Sequence, residues 1–318
     1  MDLSRRGLLG AALALGLAGC LPNPDPRMNW QPSPWPSSDA WRQAAIAEAK
    51  LAQVYQQAAG HLAADWCQRA SELHQAQADV LAQPDPWGGY QTDHQPVEPW
   101  GALDTPVISD RASALAAQHE LASQCLTAAT SCLNQAVAGV EALLATSLIV
   151  SVCVDLDWHQ SPSTVRPLPV PGSVLPSRIN LGSDIEAAQA ALSHAHELKY
   201  TLVTAAGIHS RGNSFRSQLL KRHKTVSRWA KDIQAIIWQA GIEPIPPQLS
   251  YPLPNPFRSE TAIKAAWGAG EANLAQTQIR LAGALGGPTS ETIANRAGDG
   301  WAVATTLGQT MTFWPGWV

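Results

Sequence analysis

The sequence predicts an all-α protein made of two tandem bundles of four helices. Long tracts rich in Ala, Leu and Gln carry apolar residues at helical spacing, and Pro- and Gly-rich segments separate these tracts. Landmarks of the first half also recur in the second half. With 318 residues, 45% of them hydrophobic and 14% charged, the chain has a globular composition and is long enough for two domains.

The first nineteen residues have the layout of an export signal. Arg5-Arg6 is followed by an apolar stretch and then by Leu17-Ala18-Gly19-Cys20. The ending resembles a bacterial lipobox, and the start resembles a twin-arginine pattern, although Leu8 stands where Phe is usual. The resemblance implies that residues 1–19 are cleaved off and that Cys20 becomes acylated, for instance with palmitate. We therefore expect a lipid-anchored protein on the outer face of the cytoplasmic membrane.

Residues 20–38 contain six prolines between Pro22 and Pro36, which is typical of an extended stalk. The first bundle is predicted over 39–159, with two helices hinged near Gly60 and a later helical tract that bends near Thr130–Asn134.

A Pro-rich linker is predicted over 160–183 and the second bundle over 184–318. Its helices are expected at Ser183–Ile208, Ser214–Ala240, Ser259–Leu285 and, after Gly286-Gly287-Pro288, up to about Thr312. In both halves a long join separates the two helix pairs, so the third helix can run parallel to the second, as in ferritin-like bundles.

The two halves share landmarks at slowly rising offsets, as expected of a tandem duplication. The matched residues are Tyr55 with Tyr200, His61 with His209, His74 with His223, Glu120 with Glu271, and Trp158 with Trp314.

Four short segments in the second half resemble a known family. They are Ala195–Tyr200 (AHELKY), Lys221-Arg222-His223, Tyr251-Pro252-Leu253-Pro254 and Gly270-Glu271-Ala272. They are similar to a ferritin-like domain of unknown function found in actinobacterial lipoproteins. The resemblance covers about Asp184 to Trp314, with the first half as a diverged copy. It implies a helical bundle and brings no established activity.

A di-iron bundle needs two Glu-x-x-His motifs, and the sequence contains none. A partial set remains in the second half, consisting of His196, Glu197, His223 and Glu271. These residues are either polar remnants of a degenerate site or ligands of a single transition metal such as zinc, iron or manganese. The corresponding polar residues of the first half are His74, His119 and Glu120. We expect no resident cofactor, with one bound metal ion as the alternative.

Four cysteines follow Cys20, and all lie in the first half. An even number in an exported protein predicts disulfides. The expected topology favours Cys67–Cys153 and Cys125–Cys132, with zinc ligation by the four thiols as the alternative. The second pair requires a helix break between its members, because two turns of helix exceed the reach of a disulfide.

Charge excludes nucleic acid as an expected partner. Without residues 1–19, the chain has 24 acidic and 19 basic residues and no long basic block. The short run Lys221–Lys224, with Arg216 and Arg228, is read as a solvated helix face, or else as a contact with anionic lipid or a cell-wall polymer. The Trp-rich tail Phe313–Trp317 is expected to pack back onto the bundle.

Together these observations predict a non-enzymatic interaction or assembly module of the cell envelope, anchored to membrane lipid through Cys20. Its partner would be an envelope protein or a cell-wall polymer. The alternatives are a metal-binding bundle or oxidoreductase that uses Glu197, His223 and Glu271, and a small-ligand binder that uses the gap between the bundles.

Overall fold

A computed structural model describes residues 39–83, 86, 103–160, 166–172, 174–177, 179–254 and 257–317. The predicted signal, Cys20 and the stalk lie outside these residues. Ser37–Val318 forms one compact unit. Its described part contains eight helices: α1 Asp39–Ala58, α2 Ala64–Leu81, α3 Arg111–Gln135, α4 Val140–Gln160, α5 Asp184–Ile208, α6 Ser214–Gln239, α7 Glu260–Leu285 and α8 Gly287–Thr306.

The first four helices form one packed set. Helix α1 packs against α2 and α3, and α3 packs against α4. The predicted hinge near Gly60 is confirmed, because α1 and α2 are separated by a short turn at that point. Helix α3 begins at a capping box, in which the Asp110 carboxylate accepts a bond of 2.8 Å from the Ser113 amide and the Ser113 hydroxyl accepts one from the Asp110 amide.

The second four helices pack in the same order. Helix α5 lies against α6 and α7, and α7 lies against α8. Ser183 and Glu186 form the capping box of α5, while Asn213 and Ser259 cap α6 and α7. The all-α prediction is confirmed: within the described ranges, backbone pairing of the strand type is limited to an isolated bridge between Val170 and Thr312.

Two helix boundaries differ from the sequence prediction. Helix α3 continues without a break through 130–134, and the chain turns only at Ala136–Gly139, where Gly139 has a φ of 121°. Helix α8 ends at Thr306, not near Thr312. Trp314 therefore lies in the tail and does not correspond to Trp158, which lies within α4.

The two sets of helices pack against each other through α4, which contacts α7 and α8. Glycines allow this close approach. A Cβ atom added at Gly298 of α8 would lie 2.6 Å from the Cβ of Cys153 on α4. Near the other end of α4, a Cβ added at Gly283 of α7 would lie 3.0 Å from the Cβ of Leu143.

The C-terminal tail packs back onto the helices, as the sequence predicted, and its residues Phe313, Trp314 and Trp317 are buried. The tail also connects the two sets. The amide of Gln77 on α2 donates to the Phe313 carbonyl at 3.0 Å, and the Gly316 amide donates to Gln276 on α7 at 2.9 Å.

Among the helices formed by the described residues, none is long and apolar enough to cross a bilayer.

Replacing Gly298 with Ala is expected to destabilise the protein by about 1–3 kcal/mol, because the new methyl group must displace the side chain or backbone around Cys153. Urea unfolding monitored by circular dichroism measures the change. Gly207→Ala is the matched control, since nothing lies within 4 Å of the added Cβ at this helical position. The control is expected to be neutral or to gain up to about 1 kcal/mol. Equal stabilities of the two variants would contradict the close contact between α4 and α8.

Candidate functional site

The four residues of the predicted metal site do not converge on one point. Glu271 is fully buried and binds Arg222, not a histidine. Glu197 pairs with His194 on its own helix at 3.3 Å. His196 and His223 each lie close enough to Lys199 for the lysine's positive charge to lower their pKa, although burial is the larger cause in both cases.

The second set has a buried cluster centred on Arg222 of α6. Its guanidinium donates from Nε and Nη2 to the two carboxylate oxygens of Glu271 on α7, at 2.7 and 2.6 Å. Its Nη1 donates to Asp299 on α8, whose side chain is about half exposed at the edge of the cluster. The indole of Trp267 donates a further bond of 2.7 Å to Glu271, and Arg222 lies over the ring of Trp229.

Arg222 therefore supplies the positive charge that the buried carboxylate requires. Burial alone would lower the pKa of Arg222, but the hydrogen bonds and charges of Glu271 and Asp299 raise it above its usual value. A bidentate guanidinium–carboxylate pair is among the strongest polar contacts in proteins. With its oxygens held by Arg222 and Trp267, Glu271 is not positioned to bind a metal ion.

The first set has a comparable buried cluster centred on His74 of α2. The Nδ1 atom of His74 lies 2.6 Å from the carboxylate of Glu48 on α1, and its Nε2 atom lies 2.6 Å from the carboxylate of Asp155 on α4. All three side chains are almost inaccessible to solvent. The cluster thus connects three of the four helices in this set.

The ring of His74 is held in its charged form. Burial alone would lower the pKa of His74, but Asp155 and Glu48 raise it to about 10 through their charges and hydrogen bonds. Burial raises the pKa of Glu48, even though His74 acts in the opposite direction. Because a doubly protonated imidazole donates from both nitrogens, His74 can satisfy one carboxylate on each side of its ring.

Aromatic side chains enclose the His74 cluster on one side. The ring of Tyr55 stacks on His74 with 5.6 Å between the centroids, and the Tyr55 hydroxyl donates to Nε2 of His159 at 3.4 Å. Burial lowers the pKa of His159 to about 4, so this second histidine is neutral and can accept the bond. Burial also raises the pKa of Tyr55 well above its usual value, which keeps the phenol protonated.

The two sets therefore share one arrangement, in which the second helix supplies a cation and two other helices supply carboxylates. The cation is His74 in the first set and Arg222 in the second. The fourth helix contributes Asp155 and Asp299, respectively. In the second set, the basic residue at the centre of the cluster is thus Arg222 and not its neighbour His223, which had been matched with His74 and is only partly buried.

This arrangement limits the chemistry of both clusters. Both ring nitrogens of His74 face carboxylates, so neither is free to bind a metal or accept a proton, and the carboxylates lie on opposite sides of the ring. Across the described part of the chain, no group of three or more His, Cys, Asp or Glu side chains is arranged to hold a metal ion. Two surface grooves, of 540 Å³ between α1 and α3 and of 210 Å³ beside the tail, contain no residue of either cluster in their walls.

The four cysteines are free thiols in the structure, so the two predicted disulfides are not formed. Cys125 and Cys132 lie on the continuous helix α3, where seven residues span about 10 Å along the axis, and a disulfide cannot bridge that distance. Cys67 is in contact with Gln118 of α3, whereas Cys153 faces Gly298 of the second set. The sulfurs of the other predicted pair therefore have different surroundings.

Among the polar residues singled out in the first half, His74 alone is part of the buried cluster. His119 and Glu120 are exposed on α3. Sequence reasoning missed Glu48, Asp155 and the role of Arg222. A signal was present for Glu48, because it interrupts an apolar helical stripe that includes Ala44, Leu51 and Tyr55.

No protein-family model matches the chain, and searches of curated proteins and of solved structures find no similar protein. The chain's own residues therefore provide the evidence about its function.

Replacing His74 with Ala is expected to cost about 3–5 kcal/mol of stability at pH 7, because two buried carboxylates lose their shared cation. Urea unfolding measures this loss, with the exposed His61→Ala as the matched control.

The effect has a defined pH dependence. The pKa of His74 is about 10 in the folded chain and about 6.5 in a model compound. Its stabilising contribution is therefore complete below about pH 6.5 and is lost as the pH rises through 10. Wild type should lose more stability than His74→Ala between pH 7 and 10. Equal slopes for the two proteins would show that His74 is not held as a cation.

Proposed function

We propose that this chain is a non-enzymatic interaction or assembly module of the cell envelope, with a ferritin-like fold and degenerate metal positions. The observation that carries the proposal is the cation at the centre of each helix set. His74 and Arg222 occupy the kind of position, between carboxylates of neighbouring helices, that metal ions occupy in ferritin-like bundles. In both clusters the fixed cation can thus neutralise the carboxylates in place of a metal ion.

The helix connectivity supports the ferritin-like part of the proposal. In each set the first helix packs on the second and third, and the third packs on the fourth. Long connections, between α2 and α3 and between α6 and α7, separate the two pairs, as in bundles with one crossover. The duplicated cation and carboxylate arrangement further supports an origin of the two sets by tandem duplication.

The lipobox-like segment before Cys20 supports an anchored, exported protein. Acylation of Cys20 would hold the helical body at the outer face of the cytoplasmic membrane, with residues 20–38 as the stalk. The partner of such a body would be an envelope protein or a cell-wall polymer.

A metal-binding bundle or oxidoreductase is the second candidate. It is favoured by the presence of Glu48, His74 and Asp155, which are of metal-ligand types, at the centre of one helix set. Metal binding there would require the His74 ring to leave one of its two carboxylates.

The test is to express the whole chain in a bacterium with its own signal, extract it from the membrane fraction, and analyse the same sample by two mass spectrometric methods. Mass analysis of the N-terminal peptide is expected to show an acylated Cys20, and elemental analysis is expected to show far less than one metal atom per chain. Cys20→Ser is the control for anchoring, and it should remain unacylated.

Near-stoichiometric iron, manganese or zinc that is lost in His74→Ala or in His223→Ala would overturn the non-enzymatic proposal in favour of the metal-binding alternative. An N-terminus without acylation, in a chain that still folds, would overturn the anchoring.

A further inference from the structure

The solvent-facing side of α6 carries a straight row of cations. Lys221, Lys224, Arg228 and Lys231 are all exposed, and their spacing of three and four residues places them on one face of the helix. None of them is in an ion pair with a described residue. In contrast, Arg222 of the same helix pairs with Asp299 on α8, and Asp232 of α6 pairs with Arg296 on α8. In a chain with a net charge of −4, this is a concentrated positive surface that fits an anionic partner.

The same face of α6 ends in exposed apolar side chains. Trp238 lies two turns beyond Lys231 and is 61% exposed, and the segment that follows presents Ile242, Ile245 and a fully exposed Leu249. Exposed apolar side chains that lie together on a surface often mark a site of contact with a protein or a membrane. Tryptophan is enriched at the boundary between lipid and water, because its ring is amphipathic.

A half-buried lysine lies in the seam between α5 and α6, beside the row of cations. Lys199 of α5 has no acidic partner among the described residues, and it lies close to His223 and Lys231 of α6. Burial and the charge of Lys231 both lower the pKa of Lys199. His223, Ser227 and Lys231 follow one another at intervals of four residues along this side of α6.

One buried polar atom in this seam has no hydrogen-bond partner among the described residues. It is the hydroxyl of Ser227 on α6, which lies one turn from both His223 and Lys231 on the side of the helix that faces Lys199. Because buried polar atoms in proteins are nearly always hydrogen-bonded, the seam has the character of a binding site for a group that carries negative charge and accepts hydrogen bonds.

We propose that the face formed by Lys221, Lys224, Arg228, Lys231 and Trp238 rests on an anionic phospholipid membrane, with one lipid phosphate held in the seam by Lys199 and Ser227. The exposed apolar residues favour a membrane over a cell-wall polymer, since an anionic polymer would use the cations and leave Trp238 and Leu249 uncovered. This inference builds on the proposed lipid anchor, which would hold the helical body near such a surface. It adds a second contact that does not involve Cys20.

Vesicle binding tests the proposal. Residues 21–318 contain the whole compact unit and lack the proposed signal and Cys20. This protein is mixed with vesicles of phosphatidylcholine alone, or with vesicles that also contain about 30% phosphatidylglycerol as the anionic lipid. Co-flotation measures the partition coefficient. We expect binding to the anionic vesicles only, reduced by salt, and circular dichroism verifies that each variant is folded.

The double variant Lys224→Gln/Lys231→Gln should reduce the partition coefficient about thirtyfold, because each lysine near an anionic surface contributes about 1 kcal/mol, a factor of about five. Trp238→Ala and Ser227→Ala should each weaken binding without changing the net charge. Lys50→Gln/Arg111→Gln, on the first helix set, is the matched control with the same charge change and should bind almost as wild type does.

An equal loss in the control pair would show that only net charge matters and would overturn the proposed face. Binding of inorganic phosphate without binding of vesicles would overturn the membrane as its occupant. Because the tested chain lacks Cys20, failure to bind vesicles leaves the anchoring proposal unaffected, whereas an unacylated Cys20 leaves the vesicle result unaffected.

Discussion

The fold depends on one electrostatic constraint, which is that carboxylates buried inside a helical bundle require a cation within hydrogen-bond distance. An isolated buried charge costs several kcal/mol, so the carboxylates must be protonated, bound to a metal or paired with a basic side chain. This chain uses the third solution in both helix sets. His74 lies between the buried carboxylates of Glu48 and Asp155, and Arg222 binds the buried carboxylate of Glu271 and also the half-exposed Asp299. Each cation connects helices that are distant in the sequence, so it also specifies how those helices align.

The junction between the two sets of helices joins them into one compact unit. Helix α4 lies against α7 and α8, and the close approach depends on the small volume of Gly283 and Gly298. The tail then bonds to both sets, through Gln77 and Gln276. The buried charges of both clusters are paired, and α6 presents a row of exposed cations to solvent.

The sequence predicted the all-helical class, because helix periodicity and Pro-rich joins are local signals. It also predicted the hinge at Gly60, the packed tail, and helices starting at Ser183 and Ser259, which the structure shows to be N-caps. The charge clusters were less accessible, since their members come from different helices and share no short motif. The partial set of ligand-type residues and the match with His74 pointed to His223, whereas pairing with Glu271 selects its neighbour Arg222. A difference of one residue along α6 thus decides between a candidate ligand and a salt bridge, and the sequence does not show which of the two residues faces Glu271.

The protonation state of His74 tests the central claim most directly. Nitrogen NMR of the chain with ¹⁵N-labelled histidine, assigned with His74→Gln, would follow the two ring nitrogens from pH 6 to 11. If His74 is the cation of its cluster, both ring nitrogens carry protons at pH 8 and the ring titrates near pH 10. A neutral ring at pH 8, or a signal that sharpens or shifts only after a metal chelator is added, would contradict it. In the second case His74 would be a metal ligand, and the first helix set would hold a true metal centre.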